Sequence, residues 1–353
     1  MERKRLRDLG LTIGRLPTAT HNAITDVPGV LVGHETVWHD DPTMVRSGVT
    51  VVVPENGAIT TRHLFAGSHI LNGNGEMTGL AFLDEFGLMC GPLALTGTHC
   101  VGAVHEGLVG WELSGDFPFD FCLPLVGETY DGWLSDTASF PVRPHHLTAA
   151  IGNASDGPVA EGCVGGGTGM ITHEFKAGIG TASRRVGCAG ETWTVGVLVQ
   201  SNYGLRHQLR LGGLAVGEAI PAEEVPLPWP RPRDQGSIIA VVATDAPLLP
   251  HQCRRMAQRA GLGVGRVGGT GAPSSGDLFL AFSTGNTHSA ADEERIHTAR
   301  FLPDMALGPL FESVIEATEE SIWNALCCAE TMNGWQGRTA HALPLDRLIS
   351  IAS

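Results

Sequence analysis

Ser237 stands directly after Gly236, where a proline-rich polar stretch meets an apolar run in "RPRDQGSIIAVVATDAP" (231–247). A serine hydroxyl is a weak nucleophile near neutral pH and needs a base beside it. If the Gly236–Ser237 bond were cut, Ser237 would carry that base itself, as a free α-amine of pKa about 7.7–8.0. The cut requires the hydroxyl to attack the preceding carbonyl through a strained five-membered ring, and glycine places no Cβ in its way. The plainer alternative is a loop entering a buried strand.

Other residues could serve such a nucleophile. Ser275 and Asp277 lie two apart at the head of "SSGDLFLAF" (274–282), which puts both on one face of a strand. There they could orient the nucleophile, or merely cap the strand in a turn. Asn202 ends the run in "QSNYG" (200–204) and could donate its amide to an oxyanion, although Asn before a turn is by default a turn former. In "GETYDGWLSD" (127–136), Glu128 could bind a substrate ammonium and Tyr130 could donate a phenolic hydrogen bond; the alternative is a hairpin at Asp131–Gly132.

The glycine clusters are read against known loops. "GCVGGGTGM" (162–170) lacks the Lys-Ser/Thr ending of a phosphate loop, and its Gly166 and Gly167 could present backbone N–H groups to an oxyanion. "GLGVGRVGGTG" (261–271) holds a formal GxGxxG, but it follows a helix rather than a strand, so the dinucleotide reading fails. His99 and His105 are six apart, the wrong spacing for a metal pair on a helix.

The elements that must hold these residues are strand-like runs at 47–54, 79–87, 121–128, 193–202, 237–247 and 277–285, each bounded by Gly, Pro or Asn. Helical periodicity appears over 97–113, over 249–261, ending on Gly261, and over 305–330. The mixture does not alternate as βαβ units, so a layered α/β fold is expected rather than a Rossmann sheet. Residues 220–235, with five prolines, read as an exposed, semi-extended loop that divides the chain at 1–236 and 237–353.

Composition bounds the function. The chain has 353 residues, 42% apolar, enough for one large core or two closely packed halves. A net charge of −14 without a Lys/Arg block excludes a nucleic-acid binder, because phosphate neutralisation needs clustered cations. No run reaches the ~18 apolar residues of a membrane span. The basic N-terminus lacks the apolar core of a signal peptide. The eight cysteines contain no CxxC pair. A cytoplasmic protein with free thiols, neither disulfide-stapled nor zinc-bound, is the expectation.

Taken together, these motifs resemble the self-processing serine aminopeptidases, the family of the D-aminopeptidases (L-aminopeptidase D-esterases/amidases) and the β-peptidyl aminopeptidases. The resemblance rests on "TDVPGVLVGH" (25–34), "LNGNGEMTGL" (71–80), "LTGTHCVGAVHEG" (95–107), "VGETYDGWLSD" (126–136), "GCVGGGTGM" (162–170), "VQSNYG" (199–204), "QGSIIAVVATDAPLLP" (235–250) and "SSGDLFLAFSTGN" (274–286), in this order over most of the chain. It implies a four-layer αββα sandwich resembling N-terminal-nucleophile hydrolases with different connectivity. It implies self-cleavage between Gly236 and Ser237, with both products forming one αββα domain, and assembly of the αβ heterodimers into a homo-oligomer. No metal or cofactor is implied. The nucleophile falls on Ser237, its supporting pair on Ser275 and Asp277, the oxyanion donor on Asn202 with Tyr130 nearby, and the amine-binding carboxylate on Glu128. The substrate would be a small peptide or amino-acid amide or ester, with D-, L- and β-residues all open. The alternatives are a self-cleaving acyltransferase and an uncleaved, inactive binding protein.

Overall fold

The computed structural model describes residues 2–115, 120–230, 235–289 and 295–353. In chain order its elements are β1 Leu31–His39, β2 Val45–Val53, β3 Arg62–Gly73, α1 Leu80–Phe86, β4 Leu88–Met89, β5 Leu93–Gly97, α2 Val101–Ser114, β6 Leu125–Thr129, α3 Pro144–Gly152, β7 Ile171–Thr172, β8 Phe175–Lys176, β9 Ile179–Cys188 and β10 Glu191–Asn202. There follow β11 Gln235–Thr244, α4 Pro250–Val267, β12 Ser274–Ser289, α5 Gly308–Cys328, β13 Met332–Asn333, β14 Thr339–Ala340 and α6 Leu345–Ala352.

A four-stranded sheet of order β1-β2-β5-β6 faces a six-stranded sheet of order β4-β3-β12-β11-β10-β9. Helices α2 and α3 cover the outer face of the first, and α4 and α5 that of the second. The strand alternation of β11 builds two of the three layers of core. Ile239, Val241 and Ala243 meet Leu95 and Val52 between the sheets, while Ile238, Ala240 and Val242 meet Met256, Ala260 and Val314 under the helices. On the far side, Val49 and Val51 of β2 pack on Val104, Leu108 and Leu147. This is the αββα sandwich.

Three sequence expectations are corrected. Residues 79–87, read as a strand, form the short helix α1; a brief apolar run is ambiguous between the two. Helix α4 does not stop at Gly261 but runs on to Val267 and is capped by Gly268 in the left-handed region. The formal GxGxxG is therefore mostly helix. Its Gly263 lets α4 approach α5 closely: a Cβ there would sit 2.6 Å from Thr318 Cβ and 2.9 Å from the Ile315 carbonyl oxygen. The stretch 220–235 is not simply exposed, since Val225 and Pro228 are buried; its residues 231–234 lie outside the described residues.

Gly263→Ala is expected to lower stability by about 1–3 kcal/mol, the usual cost of overpacking. Gly265→Ala, where a Cβ meets nothing within 4 Å, should instead stabilise by about 0.5–1 kcal/mol. Opposite shifts in the urea midpoint at unchanged slope would check both.

Helix α5 carries charge into the interior and has it met there. Arg184 of β9 donates from Nε to Glu316 Oε2 at 3.0 Å and from Nη2 to Glu320 Oε2 at 2.7 Å. Arg7 reaches the other Glu320 oxygen at 2.7 Å. A pairing this specific fixes the seat of α5 on the six-stranded sheet, since shifting either element would leave a buried charge unmet.

Candidate active site

The strand ladders decide which side chains meet. Ser237 of β11 lies directly opposite Asn202 of antiparallel β10, so both side chains leave the same face of the sheet. That face looks toward the four-stranded sheet, where β6 brings Glu128 and, just past its last residue Thr129, Tyr130. Together with Asn74, Thr98, Trp133, Gly169, Ile171 and Trp229 they line a cavity of about 280 Å³. Ser237 is 4% exposed, and its Oγ donates to the Gly236 carbonyl at 2.7 Å.

The Gly236–Ser237 bond lies inside a strand, not at the end of a loop as the sequence suggested. Gly236 pairs with Ser275 and Ser237 with Gly276 across the parallel β11–β12 ladder. A Cβ on Gly236 would come within 2.3 Å of the Asn202 carbonyl oxygen, so only glycine fits beside β10 here.

Asn202 is held by both ends of its amide. Its Oδ1 accepts from the Ile171 backbone N–H at 2.8 Å, and its Nδ2 donates to the Tyr130 carbonyl at 3.0 Å. An amide nitrogen has two hydrogens, so one donor is left for the cavity that Asn202 lines. Glu128 is 3% exposed, and its oxygens accept from the Glu76 N–H at 3.0 Å and from the Thr98 hydroxyl. Burial holds its carboxyl above the usual range, and these two hydrogen bonds pull part of the way back. A substrate ammonium would complete the pull toward the carboxylate. Tyr130 is half exposed at the cavity mouth, its ring edge-on to His99.

Ser275 and Asp277 do share one face, and Ser275 Oγ donates to Asp277 Oδ1 at 2.7 Å. It is the opposite face from Ser237. Asp277 pairs with Ile238, whose side chain points under the helices, and Phe279 continues that side. Burial raises the Asp277 carboxyl, opposed by Ser275 and by a hydrogen bond from the Ile238 backbone. The pair borders a void of about 10 Å³ shared with Gly236, while Gly236 and Ser237 also border the larger cavity. The two sets of groups therefore approach the same peptide bond from two sides.

The expectation for Gly166 and Gly167 is corrected. Neither lines the cavity; Gly166 N–H donates to Thr50 Oγ1 at 3.1 Å and Gly167 N–H to the Val164 carbonyl at 2.9 Å. With both hydrogens spent inside the fold, they hold no oxyanion. Gly169, further along the same run, is the glycine in the wall.

Sequence reasoning missed Thr98, Trp133 and Trp229. A tryptophan amid the prolines of 220–235 was the available signal, because a solvated loop has no use for an indole. Trp229 donates from Nε1 to Glu174 Oε1 at 2.7 Å and stands edge-on to Trp133, ring centres 5.7 Å apart. Glu174 sits in the two-residue turn between β7 and β8, with φ +63°, beside His173 at +48°. Left-handed backbone costs a side-chain-bearing residue about 1–2 kcal/mol, so this turn is strained where it holds the cavity wall.

A second cavity, of about 450 Å³, is lined by Phe82, Phe86, Phe121 and Leu123 with Cys90, Cys122 and Glu112. Burial, and then the neighbouring Glu112, push both its thiols up to about 12, which disfavours the reactive thiolate. Chemistry is therefore assigned to the smaller, more polar cavity.

The model of peptidase family S58 matches residues 22–340. The chain belongs to peptidase family S58. It is 43% identical to the β-peptidyl aminopeptidase BapA of Sphingosinicella microcystinivorans, over 99% of this chain and 92% of that one. Among solved structures, a β-aminopeptidase of Burkholderia sp. superposes with a TM-score of 0.92 at 46% identity, covering 99% and 98% of the two chains. The L-aminopeptidase D-Ala-esterase/amidase of Ochrobactrum anthropi, described as a serine aminopeptidase with a variant of the Ntn hydrolase fold, superposes at 0.90 with 38% identity over 98% and 97%. This S58 chain is thus a hydrolase of the aminopeptidase type on that fold. Among the described residues no helix is long and apolar enough to cross a membrane.

Proposed function

We propose that this S58 chain cuts itself between Gly236 and Ser237 and then releases N-terminal residues from short peptides, amides or esters through an acyl-Ser237 intermediate. Residues 1–236 and 237–353 would remain one folded unit. The observation that carries the reading is the meeting of Ser237, Asn202 and Glu128 around one cavity of about 280 Å³. In the cut, Ser237 Oγ bonds to the Gly236 carbonyl carbon, the C–N bond breaks, and the nitrogen leaves as the new α-amine. Water then opens the ester and frees the Gly236 carboxylate.

In the mature enzyme that amine takes the proton of Ser237 Oγ as the hydroxyl attacks the substrate carbonyl. Ser275 and Asp277 orient the amine from the helix side, and Asn202 donates to the oxyanion from the cavity side. The proton passes to the departing amine, and water clears the acyl group. Glu128 pairs with the substrate's ammonium, which restricts the enzyme to chain ends. The relatives' names favour an N-terminal β-amino residue as the first class to test, with D- and L-α-residues beside it.

The test is Edman sequencing of the purified protein together with a serine-directed acylating probe. A second N-terminus reading Ser-Ile-Ile-Ala, labelled at Ser237, supports the reading; a single intact, unlabelled chain overturns it.

Glu128→Gln should keep the fold and the cut but lower kcat/KM for amine-bearing substrates about 10–100-fold, the worth of a hydrogen bond to a charged group. The pH dependence follows in sign. Protonating Glu128 removes its charge, and its pKa lies above the ordinary value, so wild-type kcat/KM should fall on acidification earlier than an exposed glutamate would predict. A pH–rate profile of both proteins would check this.

A further inference from the structure

We propose that Trp229, carried by the segment upstream of the scissile bond, is the residue that sets side-chain specificity in the substrate cavity. The inference rests on the aminopeptidase reading of the site. The indole forms a wall of the cavity that Ser237 and Glu128 also line. The first residue of a substrate held by Glu128 and attacked by Ser237 must lie in this cavity, which Trp229 helps to wall.

The wall is built rather than incidental. Nε1 is tied to Glu174 at 2.7 Å, and Glu174 is itself buried and held through Oε2 by the Arg206 backbone N–H at 3.0 Å. The ring packs edge-on against Trp133, over which the Arg338 guanidinium lies 4.1 Å from the ring centre. Beneath them is a small apolar cluster of Leu134, Ile171, Met332 and Ala340. Met332, Arg338 and Ala340 lie downstream of residue 237, and Trp133, Leu134, Ile171, Glu174 and Arg206 upstream. The seat of Trp229 therefore uses residues from both sides of the cut, and it does not depend on the peptide bond between them. After cleavage the indole stays in place while the chain beyond it ends at Gly236.

The cavity is near the lower end of the ~300–1,000 Å³ typical of small-molecule sites. Its lining includes the side chains of Trp133, Trp229 and Ile171. Such a wall favours a small apolar side chain and excludes a bulky one. A methylene's difference in pocket contact is worth about 10–200-fold in selectivity, and an indole is larger. Trp229 touches no proton in the proposed chemistry, so its removal should act on KM and preference rather than on kcat.

The experiment compares wild type, Trp229→Ala, Trp229→Leu and Trp229→Phe on the p-nitroanilides of β-alanine and β-homophenylalanine, each protein first checked for the new Ser237 N-terminus. Wild type should prefer the small substrate. In Trp229→Ala the ratio of kcat/KM values, small over bulky, should fall about 10-fold or more, with kcat for the small substrate within about 3-fold. Leu and Phe should fall between, and they decide the matter if the alanine variant does not fold. An unchanged ratio in a cut, active variant overturns the role of Trp229 and leaves the aminopeptidase reading standing. An uncut wild type inert to the acylating probe would instead overturn that reading and take this inference with it.

Discussion

Ser237→Ala is expected to purify as one uncut chain of 353 residues and to turn over no amide substrate. Two losses coincide in this variant. The hydroxyl that attacks Gly236 is gone, so the α-amine is never made, and the hydroxyl that attacks substrate is gone with it. Removing a serine nucleophile alone costs on the order of 10⁶ in kcat. Ser237→Cys separates the two roles, because a thiol can still attack the preceding carbonyl. It should show slow appearance of the second N-terminus with weak turnover. Intact mass followed over days, beside p-nitroanilide release, makes the measurement. A Ser237→Ala protein that still hydrolyses amides at a wild-type rate would sink the assignment.

Asn202→Ala should lower kcat about 100–1,000-fold, the usual cost of one oxyanion donor. The alanine variant also strips the Ile171 N–H of its acceptor and so loses stability, about 1–3 kcal/mol for a buried donor left unmet. Asn202→Asp distinguishes the two effects. The aspartate keeps an acceptor for Ile171 but replaces the donor with negative charge where the oxyanion forms. It should therefore be at least as inactive as the alanine variant, while its melting point reads the kept Ile171 bond against a carboxylate oxygen now facing the Tyr130 carbonyl. Melting curves and steady-state kinetics on all three proteins would reveal a merely structural role as equal kcat in wild type and Asn202→Asp.

The serine, asparagine and glutamate of the site were legible because each needs a particular chemistry at a strand end, and strand ends are marked in a sequence by Gly, Pro and Asn. Two strand partners set their mutual position, however, and ladder register is not written locally. Nothing in "SSGD" tells that Ser275 and Asp277 lie beneath the sheet while Ser237 lies above it; that follows from Gly236 pairing with Ser275. Gly166 and Gly167 failed for a related reason. A glycine run advertises free backbone donors, but Thr50 of β2 occupies one and the run's own tight turn back to the Val164 carbonyl takes the other. The two outer layers were half legible. Helix α5 was seen from its periodicity, whereas α4 was cut short at Gly261 because the packing of α5 against Gly263, not propensity, sustains its last turns.

The order of the six-stranded sheet has a bearing on how such an enzyme ages. Strand β12 and all of β11 from Ser237 onward belong to the downstream part and occupy the centre, with β3 on one flank and β10 on the other, both from upstream. Once severed, the two polypeptides are clasped like interlaced fingers and have no route apart except through complete unfolding. An uncut chain would refold as a single molecule, whereas a cut one would have to find its other half again, so recovery of the cut form from denaturation should depend on concentration. A heated sample would then be more faithfully restored by fresh synthesis than by cooling.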